Sequence, residues 1–344
     1  MITVMRNHIL KSLLFVLSIT TMLSFVGCND EWKEEQYEHF ISFRAPLDDN
    51  GVTAIYVPYS RHNDAGEYLY GEGRSNYLLP TIVSGSTTNQ SDIVVHVAHS
   101  DTLTDLNYQR FQNRTELYYV DMSDYATYPS TTTIKAGEDV SLLDIQFDFR
   151  GIDMSKKWVL PIEVEKNESY GYAPHPRKHY AKAMLRIYPY NNFSGNYAAT
   201  TLKLANGYDT SEAIGMETSR AYVVDENTVF FYAGNIDETR TDRGNYKIFA
   251  RFSEGDQGGV ELWAENPDMQ FETDGKASFR IYDRVDEVQP YLVHHYIILN
   301  NISYSFVDYT SVTGVELPYT AEGSMTLERK INTQIPNEDQ AIEW

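Results

Sequence analysis

The chain has 344 residues, and its 49 acidic and 28 basic side chains give a formal net charge of −21 at pH 7. Proteins that track phosphates need stripes of Lys and Arg, so this charge argues against nucleic acid and against anionic membrane surfaces as partners. A single cysteine, Cys28, excludes a disulfide within the chain, and the fold therefore depends on burying its own apolar core.

Residues 1–27 have the pattern of a secretory signal peptide. Arg6 and Lys11 precede an apolar run at 12–26, which is too short to span a hydrocarbon core of about 30 Å comfortably. The run ends in a small residue followed by Cys28, as in a lipoprotein signal, where the thiol receives a diacylglycerol and becomes the new N-terminus. We therefore expect cleavage after residue 27 and a lipid on Cys28.

Residues 28–38 are polar and acidic and show no periodicity, which predicts a tether behind the lipid. An acidic run directly after the lipidated cysteine resembles the export signal that Bacteroidetes use to place lipoproteins on the outer face of the cell. We therefore expect a protein that is anchored in the outer membrane by its lipid alone and that faces the cell exterior.

Residues 39–190 alternate apolar and polar side chains with a period of two, in short runs broken by Gly, Asn, Asp and Pro. Residues 102–114 have a helical pattern, and Asn50-Gly51 carries the signature of a tight hairpin. These features predict an N-terminal β-sandwich domain with one helix. The clearest predicted strands are residues 93–97, 143–149, 158–164 and 183–188.

The alternation stops in a turn-rich stretch at 188–195, so we assign residues 191–344 to a second domain. Roughly eight or nine sequential strands with short connections predict an antiparallel up-and-down, lipocalin-like β-barrel, because closure removes exposed strand edges. A barrel of about eight strands holds side chains or one small ligand. The predicted strands are residues 196–204, 219–224, 228–233, 246–252, 259–265, 277–282, 294–300, 303–309 and 323–329.

Short stretches in both halves share the order and spacing of one family. In the first half they are Tyr77-Leu-Leu-Pro80, Val83-Ser-Gly85, Leu117-Tyr-Tyr119, Ile134-Lys-Ala-Gly137 and Trp158-Val-Leu-Pro-Ile162. In the second half they are residues 192–197, 304–309 and 332–342. Together they resemble Bacteroidetes surface lipoproteins built from two uncharacterised domains, of which the first also precedes some endo-glycosidase modules.

The resemblance implies a product of a polysaccharide-utilisation system, displayed at the outer membrane beside a glycan importer complex, and it implies no catalytic residues. The glycosidase module of some relatives is a barrel of alternating strands and helices, whereas the second half here has no such alternation. This departure argues against hydrolysis. We therefore expect a glycan as the partner and no enzymatic activity.

The sequence contains no set of residues that points to catalysis or to a metal. Acid pairs arise by chance in so acidic a chain, and adjacent histidines in a strand point to opposite faces instead of converging on a metal. Residues 62–67 offer oxygen ligands for calcium, but a plain Asn/Asp/Gly turn is favoured. We predict neither a metal nor a cofactor. The groups considered are Glu34/Glu35, Asp48/Asp49, Asp283/Asp286/Glu287, His96/His99, His175/His179 and His294/His295.

Aromatic side chains carry the strongest signal for binding, with 27 Tyr and 4 Trp in the chain. A flat ring covers the apolar face of a pyranose, and a Tyr hydroxyl adds a hydrogen bond to sugar oxygens. Two predicted loops are rich in them, which makes Tyr68, Tyr70, Tyr170 and Tyr172 candidates for glycan binding. The alternative is that these tyrosines pack as ordinary strand residues.

Two further residues are candidates for separate reasons. Trp263 is exposed as a stacking platform if its neighbour Leu262 points into the barrel, and is core otherwise, because neighbours in a strand face opposite sides. Thr102 lies in Asp101-Thr102-Leu103, which matches the three-residue pattern for O-glycosylation of exported Bacteroidetes proteins.

We therefore predict a surface lipoprotein of two β domains that captures a glycan for import, as an accessory of a polysaccharide-utilisation system and without catalysis. One alternative is a structural or adhesive surface protein that contacts a membrane partner and no sugar. A second alternative is a glycoside hydrolase. Exposed aromatics gathered in one concave patch would favour glycan binding, whereas two carboxyls about 5 to 9 Å apart across a cleft would favour hydrolysis.

Overall fold

The computed structural model describes residues 39–85, 87–177 and 180–344. The predicted signal peptide, the lipidation site Cys28 and the predicted tether lie outside these ranges. No helix in the described ranges is long and apolar enough to cross a membrane. The chain is mainly β, and a sandwich of two sheets is followed by a closed barrel, as the sequence predicts.

The sandwich consists of short strands in two facing sheets. Its elements are β1 (Phe40–Phe43), β2 (Thr53–Pro58), β3 (Arg74–Ser84), β4 (Ile93–His99), α1 (Thr102–Phe111), β5 (Tyr119–Asp121), β6 (Ala126–Thr127), β7 (Thr131–Ile134), β8 (Val140–Asp148), β9 (Lys157–Val164), β10 (Ala173–Pro174) and β11 (Lys182–Tyr190), with 3-10 helices at Thr115–Leu117 and Ser123–Tyr125. One sheet has the order β10-β1-β3-β8-β6, and the other has the order β2-β11-β9-β4-β7, with β5 beside β9. The period-two pattern buries alternate residues, such as Leu143, Ile145 and Phe147 of β8, between the sheets.

Strand β9 is buried along nearly all of its length because both of its faces are covered. Leu160 belongs to the core between the sheets, whereas Val159 packs with Leu103 of α1 and Met184 of β11 on the outer side. The helix therefore closes part of the outer face of the second sheet. Lys157, the first residue of β9, is drawn into this covered region and is buried.

The Asn50-Gly51 turn is present, but the predicted hairpin is wrong. The Gly51 N–H donates to Asp48 O at 2.9 Å, and Gly51 has a φ of +75°, a conformation that favours glycine. The flanking strands β1 and β2 lie in different sheets, where they pair with β3 and β11. A turn signal depends only on the local backbone, so it does not distinguish a hairpin from a crossing between two sheets.

The barrel is formed by the second half of the chain. Its elements are β12 (Gly195–Ala198), β13 (Lys203–Asn206), β14 (Asp209–Gly215), β15 (Thr218–Val223), β16 (Thr228–Tyr232), β17 (Lys247–Phe252), β18 (Gln257–Trp263), β19 (Glu272–Thr273), β20 (Ser278–Val285), β21 (Leu292–Asp308), β22 (Leu317–Asn332), α2 (Glu338–Ala341) and β23 (Ile342–Glu343), with 3-10 helices at Arg243–Tyr246 and Pro267–Met269. Strands β12, β15 to β18 and β20 to β22 pair in sequence order, and β22 returns to β12. All these pairings are antiparallel, so the predicted up-and-down barrel is confirmed.

The sequence divides some barrel strands differently from the structure. The predicted strands 294–300 and 303–309 form one strand, β21, whose register against β22 shifts between Leu299 and Ile302. Asn301, at this β-bulge, has a φ of +53°. The predicted strand 196–204 is instead divided between β12 and β13, and β14 was not predicted.

The outer face of the barrel packs against the sandwich. Every residue of β16 is buried, because Val229 and Phe231 face the barrel core while Phe230 and Tyr232 join the core of the sandwich. Buried Arg243 adds polar contacts, since its Nη2 donates to Ser155 O at 2.9 Å. The two halves therefore share one continuous apolar interface.

Candidate binding site

A cleft of about 690 Å³ opens where the sandwich meets the barrel, and we call it the junction cleft. Its walls come from the loop after β2, the turn between β11 and β12, the turn between β15 and β16, and the C-terminal end of β22 with the tail that follows it. The lining residues fall within 58–64, 190–192, 226–227 and 329–342, together with His295. The cleft therefore depends on both halves of the chain.

Arg329, on β22, is buried where it lines the junction cleft. Its Nη2 donates to Asn191 O at 2.7 Å and to Ser194 O, and its guanidinium carbon lies 5.3 Å from the centroid of the Trp344 ring. Burial lowers the pKa of Arg329 to about 10. Among the described residues no carboxylate pairs with it, so carbonyl oxygens and aromatic faces stabilise the cation.

Asp339 ties the C-terminal tail to the sandwich. Its Oδ2 lies 2.7 Å from Arg61 Nη2, and its Oδ1 accepts a hydrogen bond of 3.0 Å from the Tyr190 hydroxyl. Burial, and then the charge of Asp339, raise the pKa of Tyr190 well above its ordinary value, so the hydroxyl keeps its proton and remains a donor. Both carboxylate oxygens are engaged, and the group holds the wall of the cleft in place.

Other polar groups of the cleft are available to a ligand. Asn192 and Asn227 are exposed, and their side-chain amides have no hydrogen-bond partner within the described part of the chain. Asn191 differs, because its Nδ2 donates to Asp225 O at 2.7 Å and its Oδ1 accepts from two backbone N–H groups, which makes it structural. Oε1 of Glu226 is buried, and no described residue forms a hydrogen bond with it.

Tyr68 lies at the edge of the junction cleft. Its ring packs on that of His62, a lining residue, with centroids 4.6 Å apart, and the two residues form an isolated β-bridge. Partial burial, followed by the charges of Glu226 and Glu72, raises the pKa of Tyr68. The exposed fractions are 47% for Tyr68 and 37% for Tyr70, so both predicted candidates in this loop offer ring surface to solvent.

The second predicted pair is packed into the sandwich. Tyr170 stacks on His96 with centroids 4.1 Å apart and an interplanar angle of 3°, and its other neighbour is Tyr172. Tyr172 is only 8% exposed, and its hydroxyl accepts from the His96 N–H at 2.9 Å and donates to Glu165 O at 3.2 Å. Burial leaves Tyr172 without a free face for a sugar, and neither residue lines the junction cleft as described.

Trp263 lies on the outer face of the barrel, since Leu262 belongs to the barrel core. The Trp263 ring stacks on Phe249 with centroids 5.3 Å apart, and the guanidinium carbon of Arg251 lies 5.0 Å from its centroid. The residue is half-buried against the core that the sandwich and barrel share. Trp263 therefore faces away from the barrel interior but is not fully exposed. It also lies outside the described lining of the junction cleft.

The Thr102 hydroxyl already takes part in hydrogen bonds at the start of α1. Its Oγ1 accepts from Lys182 Nζ at 2.5 Å and lies 2.9 Å from Ser100 Oγ. The side chain is half-buried, while the preceding Asp101 is fully exposed. O-glycosylation at Thr102 stays a prediction, and it would require this hydroxyl to leave Lys182.

Of the acid and histidine groups noted in the sequence, Glu34/Glu35 and His179 lie outside the described residues, and the adjacent His294 and His295 contact different acids. Nδ1 of His294 contacts Glu328 at 2.5 Å, whereas that of the adjacent His295 contacts Asp283 at 2.6 Å. His294 lies between two acids, because its Nε2 is also 3.0 Å from Asp286 Oδ2. The Asn63 side chain closes the turn 62–67 by accepting from two backbone N–H groups. Across 39–85, 87–177 and 180–344, no group of three or more His, Cys, Asp or Glu side chains is arranged to hold a metal ion.

Sequence reasoning missed the residues that build the junction cleft. Arg61, Tyr190, Arg329 and Asp339 come from four segments that are far apart in the chain, and no local pattern joins them. The available signal was a charged residue in a barrel strand, Arg329, at a position whose alternation demands burial. A buried, unpaired cation in a strand indicates a special environment.

Two family models divide the chain between them. The domain of unknown function DUF4973 matches residues 32–168, and a model described as a C-terminal domain matches residues 181–326. A comparison with curated proteins finds no match.

Solved structures from Bacteroides are similar over nearly the whole chain. An auxiliary nutrient binding protein from Bacteroides thetaiotaomicron VPI-5482 is 51% identical with a TM-score of 0.82, and the match covers 90% of this chain and 100% of that chain. A Bacteroides ovatus protein of unknown function is 39% identical with a TM-score of 0.77, covering 89% and 100%. A multidomain Bacteroides ovatus protein including DUF1735 is 37% identical with a TM-score of 0.76, covering 89% and 100%. The chain therefore belongs to the family that these Bacteroides proteins represent, with the domain DUF4973 ahead of a second, C-terminal domain.

Proposed function

We propose that this chain is a non-catalytic accessory protein that binds a glycan nutrient and is displayed on the outer membrane by a lipid on Cys28. The observation that carries the proposal is the 51% identity to an auxiliary nutrient binding protein over all of that protein's length. The signal sequence and the lone cysteine support the position at the cell surface. The family resemblance supports a place in a polysaccharide-utilisation system, beside an outer-membrane importer.

The chemistry of the junction cleft supports a saccharide as the ligand. The amides of Asn192 and Asn227 can both donate to and accept from sugar hydroxyls, and Tyr68 on the rim offers a ring for stacking. A volume of about 690 Å³ is in the usual range for small-ligand sites. The wall of the cleft is held by hydrogen bonds at Arg329 and Asp339 and by the ion pair of Asp339 with Arg61 of the sandwich, so its shape is formed before the ligand arrives.

Hydrolysis is the weaker alternative on the same grounds. A glycosidase needs one carboxyl as acid and another as base or nucleophile, both free to exchange protons. Of the three acids that line the cleft, Asp64, Glu226 and Asp339, the last is engaged by Arg61 and Tyr190 at its two oxygens, and the family resemblance implies a catalytic role for none of them. The acid groups noted in the sequence are not among the described residues that line this cleft.

The first test is a glycan-array screen of the mature chain carrying Cys28→Ser, followed by calorimetry on each hit. We expect saturable binding of at least one oligosaccharide. Tyr68→Ala and Asn227→Ala should each weaken it by about 2–10-fold, the worth of one neutral hydrogen bond or ring contact.

Tyr208→Ala is the matched control, because Tyr208 is 75% exposed and lies outside the described lining of the cleft. It should leave the affinity unchanged. Silence of the folded protein on the whole array would sink the glycan proposal and favour a surface protein that contacts a membrane partner, for which a pull-down from native membranes is the next step. An unchanged affinity in the Tyr68 and Asn227 variants would remove the junction cleft from the proposal.

The location at the cell surface is tested separately in intact cells. Wild-type protein should incorporate labelled fatty acid and should be cleaved by protease added outside the cells. Cys28→Ser should lose the label and leave the membrane fraction. Labelled protein that resists external protease until the cells are broken would contradict display on the outer face.

A further inference from the structure

A second cleft, of about 670 Å³, lies on the other side of the second sandwich sheet from its core, and we call it the basic cleft. It is bounded by α1, by the start of β9, by the second half of β11, and by the segment between β16 and β17. Its charged lining residues are Asp48, Arg110, Arg114, Lys157, Arg186 and Glu238. Four bases and two acids give this cleft a positive net charge in a chain where acids outnumber bases by 49 to 28.

Lys157 is the most unusual member of this lining. The residue is 9% exposed. Within the described part of the chain, its side chain forms no ion pair and no hydrogen bond. Its Nζ lies 5.3 Å from the centroid of the Phe111 ring. Burial, partly opposed by the charge of Glu238, lowers the pKa of Lys157 to about 8, so the group is still mainly protonated at neutral pH. Among the described residues no carboxylate contacts this ammonium, which lies in the cleft lining, so an anion in the cleft would compensate its charge.

Glu238 forms its ion pair with Arg186, and its charge acts on Lys157 without a contact between them. Its Oε2 lies 3.4 Å from Arg186 Nη2, and its Oε1 accepts a hydrogen bond of 2.6 Å from the Tyr222 hydroxyl. Arg186 is 7% exposed, and its guanidinium carbon lies 4.9 Å from the centroid of Tyr188. One acid therefore faces both Arg186 and Lys157, which leaves an excess of positive charge in a low-dielectric region.

Two exposed arginines extend the positive charge to the entrance. Arg110 donates to Asp49 O at 3.0 Å and to Asn50 Oδ1, and Arg114 donates to Thr239 O at 3.3 Å. These partners are neutral acceptors, so they orient the guanidinium groups without cancelling their charge. An anion that enters the cleft meets two positioned guanidinium groups before it reaches Lys157.

We propose that the basic cleft binds the carboxylate or sulfate group of an acidic saccharide. Lys157 and Arg186 would hold the anion, Arg114 would guide it in, and the partly exposed ring of Phe111 in the lining would pack on the sugar. The saccharide part of this inference rests on the proposed function, whereas the anion site does not. The junction cleft differs, because its three acids, Asp64, Glu226 and Asp339, outnumber its two arginines, Arg61 and Arg329, whereas bases outnumber acids in the basic cleft.

The test is calorimetry of the mature Cys28→Ser chain with four probes: digalacturonate, a sulfated chondroitin disaccharide, galactobiose and sodium sulfate. We expect at least one acidic disaccharide to bind at least ten times more tightly than neutral galactobiose, with an affinity that falls as salt is added. Lys157→Met, which keeps an unbranched apolar stem and removes the ammonium, should weaken that binding at least tenfold. Arg114→Gln, at the exposed entrance, should weaken it about threefold and keeps the test valid if the buried variant unfolds.

Lys276→Gln is the control for net charge, because Lys276 is exposed and lies outside the described lining of both clefts. It should leave the affinity unchanged, and so should Tyr68→Ala at the junction cleft. Failure of both acidic disaccharides to bind folded protein, or equal affinities in wild type, Lys157→Met and Arg114→Gln, would overturn the inference. If sulfate binds as tightly as the disaccharides, the saccharide part of the inference is overturned, and the basic cleft is a site for an inorganic anion. A neutral glycan that loses affinity only with Tyr68→Ala would uphold the proposed function while this inference fails.

Discussion

At the scale of single residues, Arg329 is a cation held in the protein by neutral partners. We expect Arg329→Met to lower the free energy of unfolding by about 2–4 kcal/mol, because the carbonyls of Asn191 and Ser194 lose a charged donor while staying buried. Urea denaturation at neutral pH measures the change. Arg284→Met is the matched control, since that arginine is exposed and, among the described residues, forms an ion pair with exposed Glu287 alone, a contact that solvent screens. Equal losses in the two variants would show that the contacts of Arg329 carry no special weight.

His294 gives a residue-scale prediction on pH. Hydrogen bonds to Glu328 and then to Asp286 raise the pKa of His294, and the contact with His294 lowers the pKa of Glu328. The imidazolium is favoured in the folded state, so its stabilisation is complete below the pKa of the unfolded histidine, about 6.5, and is lost as the pH rises through the folded-state value. The Glu328 contribution has the opposite sign and is lost as the pH falls through its own lowered pKa.

An NMR titration of the His294 ring should therefore give a pKa above about 6.5 in the wild type. Glu328→Gln should bring that value down, because the strongest partner of the imidazolium becomes neutral. Glu261→Gln, which removes an acid outside this cluster, should not change it. A His294 pKa at or below the ordinary value in the wild type would contradict the prediction.

The aromatic candidates show that the sequence predicts which residues can stack on a sugar but not which of their rings are exposed. Composition identifies tyrosine and tryptophan as suitable for stacking on sugars, and Tyr68 does offer its ring to solvent. Tyr172 is buried beside Tyr170, whose ring stacks on His96, and Trp263 is partly covered by Phe249. Whether a ring keeps a free face depends on neighbours from distant segments, and a period-two pattern does not include them.

At the scale of elements, Gly323 allows β22 to change partners. The strand pairs with β13 on one side of this glycine and with β12 on the other, and Gly323 has a φ of +142°. A Cβ here would overlap the carbonyl oxygen of Thr201, in the connection between β12 and β13. We expect Gly323→Ala to lower the free energy of unfolding by about 2–4 kcal/mol through backbone strain and this overlap.

Chemical denaturation of Gly323→Ala beside Gly259→Ala tests this point. Gly259 lies in β18, and a Cβ there would meet no atom within 4 Å. The control should change stability by less than about 1 kcal/mol, and a barrel that tolerates both substitutions equally would refute the role of Gly323.

The strands themselves were largely predictable, because a half-buried strand shows its alternation in the sequence. The sequence did not predict where a strand continues or which strands a turn connects, because both depend on pairing with a partner strand. The bulge at Asn301 interrupts the pattern without ending β21, and the turn at Gly51 joins two different sheets. Local sequence determines such turns and bulges, whereas pairing across the sheet determines what they connect.

At the scale of the whole molecule, sandwich and barrel are joined by barrel strands whose outer faces pack against the sandwich, so that these strands are buried on both faces. In β16 the apolar run from Val229 to Tyr232 has no polar residue to mark an outer face, since Phe230 packs on the sandwich and Phe231 faces the barrel core. This run is the sequence signal for the interface, because a continuous apolar strand is buried on both faces. The sequence did not reveal which surface covers it, and the junction cleft therefore could not be predicted from either half alone.

This shared interface predicts that sandwich and barrel unfold together. Differential scanning calorimetry of the wild type should show a single transition. Phe230→Ala should lower stability by about 3–5 kcal/mol and divide the transition into two, because the cavity lies in the contact that couples the halves. Phe231→Ala removes the same side chain from the opposite face of the same strand, so it should lower the midpoint while the transition stays single. Two separate transitions in the wild type would mean that the halves are independent, and a ligand in the junction cleft would then have to supply the coupling by binding across both.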